Sequence, residues 1–163
     1  MAKQRFTGNH IHIAEVEDGS IVREVSTSKL EDYGLKLSRV ENGMTHHYVL
    51  RFAGEDTAVR HMAGPRSCIN FGDQVEFELL NESRPQFSGS PPAGSLALIE
   101  NKLFITAKKG VAGLRLFSIA DGAEYEDDLF EAVPYFSEWR LIRVVPIIKD
   151  TETVELMRSK AIG

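Results

Sequence analysis

Cys68-Ile-Asn-Phe-Gly-Asp-Gln-Val-Glu-Phe-Glu-Leu-Leu80, a Pro/Ser/Gly-rich loop over 81–94, and then Ser95-Leu-Ala-Leu-Ile-Glu-Asn-Lys-Leu-Phe-Ile-Thr106 form the most apolar and most β-like part of the chain. Runs of Val, Ile, Phe and Leu broken by Gly, Asn and Pro are strand and turn signals. The first run predicts a central strand, with Phe71-Gly-Asp73 as a bulge or tight corner inside it, because glycine within a strand marks such a feature. Ser95–Ile99 and Leu103–Thr106 predict a hairpin over Glu100-Asn-Lys102. The loop between them holds Pro85, Pro91 and Pro92, which lack the backbone donor an inner strand needs. Loops of this length tend to be functional, which singles out Phe87, the apolar residue in its middle, as an anchor for a partner.

Outward from this stretch the same grammar repeats. Residues 10–16 and 21–25 read as two strands joined by a Glu17-Asp-Gly-Ser20 turn. Leu35–Val40 and His46–Phe52 alternate apolar and polar residues on either side of Asn42-Gly43, the strongest hairpin signal in the chain. Residues 57–62 read as a further strand, with a short helix as the alternative. Leu114–Ile119 follows, and Phe136–Ile148 is the last long strand, where Pro146 implies an edge position or a bulge. Two or three short helices are expected: one within 121–131 stopped by Pro134, one near 151–161 with Val154, Met157 and Ala161 on its apolar side, and as the third a single turn at Ser28-Lys-Leu-Glu31. About nine or ten strands with short turns predict a single all-β domain over 1–163, an antiparallel sandwich or barrel.

Composition narrows the function classes. The chain has 163 residues and a formal charge of −5, with 9 basic and 12 acidic side chains in residues 1–80 and 10 and 12 in 81–163. No basic arm is segregated, which disfavours nucleic acid and anionic membranes as partners. One cysteine, Cys68, cannot form an intrachain disulfide and reads as a small buried hydrophobe. No apolar run suits a signal peptide or a membrane helix, so the expected compartment is the cytoplasm.

Several residues could carry chemistry. Residues 121–131 hold Asp121, Glu124, Glu126, Asp127, Asp128 and Glu131 with no basic residue. Asp127, Asp128 and Phe130 join Phe87 as candidate contacts for a basic or apolar partner surface. His10-x-His12 followed by Glu17 resembles the His-x-His-x4-Glu pattern of metal-binding cupin barrels. That resemblance implies a divalent transition metal held by His10 and His12, with His61 able to join in space. His46 and His47, being adjacent, point to opposite faces of a strand. Phe71-Gly-Asp-Gln-Val-Glu-Phe77 resembles a cadence of small β-barrels, including those that stack single-stranded nucleic acid on aromatic rings. No serine-nucleophile elbow or phosphate-loop order is present. The primary expectation is therefore a non-catalytic binding or assembly protein without a cofactor, acting through a protein partner or self-association. The alternatives are a metal-dependent or small-molecule-processing barrel enzyme and an oligonucleotide-binding barrel.

Overall fold

The computed structural model describes residues 9–25, 33–63, 66–72, 74–80, 85–86, 91–126, 133–147 and 150–159, with the side chains of 9, 10, 144–147 and 150–152 left aside. It is an all-β structure of two sheets. The strands are β1 (Asn9–His12), β2 (Ile21–Glu24), β3 (Tyr33–Glu41), β4 (Met44–Arg51), β5 (Ala58–His61), β6 (Ser67–Gly72) and β7 (Val75–Leu79). They continue as β8 (Leu96–Ile99), β9 (Lys102–Lys108), β10 (Leu114–Ser118), β11 (Tyr135–Phe136), β12 (Trp139–Ile147) and β13 (Asp150–Arg158). The large sheet runs β1-β6-β2-β3-β4-β5-β9-β8-β11, with β10 paired to β9; the small one is β13-β12-β7. The large sheet starts at β1 and ends at β11 without these two pairing, so among the described residues it is open and not a barrel.

Turn chemistry decides the local hairpins. Asn42 and Gly43 both take positive φ, 51° and 76°, the pair a two-residue hairpin turn requires, and β3 and β4 pair from Gly34↔Arg51 to Glu41↔Met44. Glu100 and Asn101 do the same between β8 and β9. Residues 58–61 form a strand, paired with β4.

Four expectations are corrected. The Asp18-Gly19 turn does not close a hairpin: β1 and β2 each pair with β6, which lies between them. The central strand over 68–80 is two strands. At Phe71 the β2–β6 register slips by one residue, Gly72 takes φ 58°, and the chain leaves the large sheet to enter the small one as β7. The helix expected near 151–161 is β13, antiparallel to β12 from Asp150 to Arg158. Its register shift opposite Leu141/Ile142 sets Leu156 and Met157 both against the main core, a pairing neither alternation nor a helical period anticipates. Residues 121–126, expected to start a helix, fold back along β10: Ser118 N–H donates to Ala123 O and Tyr125 N–H to Leu116 O, each at 2.8 Å. The helical turn expected at 28–31 lies outside the described residues. Pro146 pairs with Thr151 of β13 at a point where β7 has already ended, so its missing donor leaves no ladder bond unmade.

The two sheets share the main core. Leu35, Leu37, Leu50, Phe52, Leu96, Ile105 and Phe117 from the large sheet meet Trp139 and Leu141 from the small one. Trp139 is the keystone. Its ring packs edge-on to Phe52 and tilted on Phe77, at 5.6 and 5.1 Å between centroids. Its indole N–H donates to Gly94 O at 2.9 Å, so the buried donor is satisfied. The reverse face of the large sheet carries two smaller clusters, one around Ile13, Val22, Val49 and Cys68, and one around Ala97, Phe104 and Leu116. Lys36 lies on that reverse face, buried, its ammonium 2.9 Å from Asp18.

Candidate functional site

Alternation along β3 and β4 puts Leu37, Arg39, His46 and Tyr48 on the core side of the large sheet, beyond the end of the small one. His61 of β5 lies directly opposite Tyr48. Phe117 of β10 closes the floor. Two short segments complete the walls: residues 109–113, containing a 3-10 turn at Gly110–Ala112, and residues 121–124, which double back on β10. The result is a cleft of about 640 Å³ lined by Leu37, Tyr48, Val59, Phe117, Val111 and Ala112 with Arg39, His61, Lys109 and Glu124. Val111 at its lip is wholly exposed, and Met44, at the β3–β4 hairpin, is 66% exposed.

One carboxylate ties the walls together. Glu124 receives Arg39 Nη2 at 3.3 Å, Arg115 Nε at 3.6 Å and the Lys109 ammonium. Three strands or loops distant in sequence thus converge on one side chain. Its neighbours are also engaged. Asp121 accepts from Ala123 N–H at 3.0 Å; this bond first, and the Ser118 hydroxyl second, hold its carboxyl below the ordinary carboxylate range. Asp18, on the far wall, accepts from Lys36 at 2.9 Å and from Ser38 Oγ at 2.5 Å.

The histidines divide between the two faces. His61 stacks obliquely on Tyr48 and His46, at 5.1 and 5.5 Å between ring centroids. His47 points to the reverse face, where its Nδ1 is buried without a hydrogen-bond partner among the described residues. Burial first, and the nearby Lys36 charge second, lower its pKa. His12 accepts from Ala14 N–H through Nδ1 and so caps the 3-10 turn at Ile13–Glu15. Of the residues expected to hold a metal, His61 belongs to the cleft, His12 caps the 3-10 turn, and the His10 side chain lies outside the described residues. Among the described residues no group of three or more His, Cys, Asp or Glu is placed to hold a metal ion.

The expected partner contacts Phe87, Asp127, Asp128 and Phe130 also lie outside the described residues. Phe71 and Phe77, both half-buried, pack against the core, Phe77 in contact with Phe52 and Trp139. Cys68 is buried at 1% exposure, and desolvation pushes its thiol up to about 11. Sequence reasoning missed Arg39, Lys109, Arg115 and Glu124 as a group because they come from four separate segments. The only local signal was the acidic run itself, whose member Glu124 turns inward to cations of its own chain.

Comparison of the chain with protein-family models, with curated proteins and with solved structures finds no match. Among the described residues no helix is long and apolar enough to cross a membrane.

Proposed function

We propose that the chain is a non-catalytic binding protein that works through protein–protein contacts and receives a partner segment in the cleft between β3–β5, β10 and residues 109–113. The observation that carries this is the cleft's construction. Its floor is apolar and continuous with the core, and the apolar side chain of Val111 stands fully exposed at its lip. Exposed apolar groups around a concavity mark recognition surfaces. The partner chemistry that fits is a segment with one apolar or aromatic anchor side chain flanked by polar residues. A non-catalytic role is supported by the polar groups at the mouth: Glu124, Asp121 and Asp18 are each committed to partners within the chain and so serve as walls.

The volume favours a second reading, since about 640 Å³ falls within the range of roughly 300–1,000 Å³ typical of small-ligand sites. One experiment addresses both. Random peptides displayed on phage are selected against the untagged protein, then rebound to an Ala123→Trp variant whose indole fills the cleft. The expected result is a family of anchor-containing peptides that lose binding to Ala123→Trp. Peptides that bind the variant equally well would remove the cleft from the interaction. An absence of enriched peptides, with a small ligand retained in native mass spectrometry, would establish the second reading. A dimer in native mass spectrometry whose cleft amides are protected from exchange would identify the partner as a second copy.

A further inference from the structure

We propose that His46 and His61 form a binding site for one divalent transition-metal ion at the lip of the cleft, a site that does not depend on what the cleft itself binds. The two residues are diagonal neighbours on β4 and β5: Tyr48 lies opposite His61, and His46 is two residues before Tyr48 on the same face. Diagonal pairs of this kind are within reach of ring side chains. The imidazole centroids are 5.5 Å apart with planes tilted by 50°. A metal–nitrogen bond of about 2.0–2.1 Å puts each ring centre about 3.2 Å from the ion, so two rings at a tetrahedral angle have centres about 5.2 Å apart. The observed spacing matches. The tilt matters equally: nitrogen lone pairs lie in the ring plane, and rings stacked in separate parallel planes cannot aim them at one point, whereas rings whose planes cross can.

The surroundings allow an ion. His61 is exposed and His46 half-buried, so water or a donor from a bound partner completes the coordination. Arg39 lies opposite His46 across β3–β4, but its guanidinium is drawn to Glu124 and Glu41, at 3.3 and 3.5 Å. Imidazole donors without a thiolate or several carboxylates select zinc, copper or nickel over calcium and magnesium.

The test is calorimetric titration of untagged, chelator-stripped protein with zinc chloride, repeated with His46→Ala, His61→Ala, His47→Ala and His12→Ala. One ion per chain is expected. Loss of either His46 or His61 should weaken it by about 100-fold or more, because changes to groups that merely support a ligand already cost about 10–100-fold. His47→Ala, on the opposite face, and His12→Ala should leave the affinity unchanged. Electron paramagnetic resonance of the copper(II) form should show splitting from two nitrogens, a signature that persists whatever the variants do to folding. Absence of binding would overturn the site. So would binding that survives loss of both His46 and His61, or that disappears with His12.

Discussion

Removing the charge of Asp18 should destabilise the fold by about 3 kcal/mol, whereas removing the charge of Lys36 should not. Lys36 is 1% exposed in its side chain, and Asp18 stands 2.9 Å from its ammonium. At that distance and an effective dielectric of about 20, the attraction is about 6 kcal/mol. Asp18 is about a third exposed, and water screens its share, so roughly half of that figure is expected to register. An Asp18→Asn variant keeps the turn-forming side chain before Gly19 but strands a buried ammonium, the case in which loss of one partner costs about 3–5 kcal/mol. Lys36→Met keeps the stem and its packing, discards the buried charge and leaves Asp18 to water and Ser38; such replacements are neutral or stabilising by about 1 kcal/mol or more. Thermal unfolding reads both. For a chain of this length about 3 kcal/mol lowers Tm by roughly 6–12 °C. A Tm shift of less than a degree for Asp18→Asn, or a cost for Lys36→Met equal to that of Asp18→Asn, would refute this role for the pair.

Four further outcomes follow from other parts of the fold. Trp139→Phe should cost about 2–3 kcal/mol in urea unfolding, since it strands the buried Gly94 carbonyl and leaves a void between Phe52 and Phe77; a change under about 0.5 kcal/mol would deny the indole its place as keystone. Gly94→Ala should be as damaging, because φ is +83° and the new Cβ would meet Gly54 O at 2.3 Å; wild-type stability would refute that close approach. His47 has a lowered pKa in the folded state, so below about pH 6.5 the unfolded chain takes up a proton that the folded chain resists. Its contribution is present at neutral pH and lost as pH falls, and His47→Gln should flatten the dependence of the urea midpoint on pH between about 7.5 and 5.5. Cys68, buried with its thiol pushed up to about 11, should react with a disulfide reagent at pH 8 only at the rate of unfolding.

What the sequence determined by itself is the all-β class, the Asn42-Gly43 turn, the hairpin over residues 100–102 and the corner at Gly72; at 57–62 it left strand and helix both open, and pairing with β4 decided for the strand. Each depends on chemistry within a few residues: positive φ at a turn, alternation on a pleat, glycine at a bulge. Tertiary structure decided which strands pair and what meets at the site. Asp18-Gly19 is also a turn signal, yet β6 lies between the strands it joins, because β1 and β2 both bury their apolar side chains against Cys68 and its neighbours. Thr151–Arg158 carries a helical spacing of Val154 and Met157, but β12 offers a full ladder of backbone partners and the core takes Leu156 and Met157 together. Strand formation depends on such a partner, and the local sequence holds no record of it. The cleft is the extreme case. Glu124 meets Arg39, Arg115 and Lys109, and His61 meets His46, only after four strands and two loops have been placed, so no spacing in the chain could have joined them.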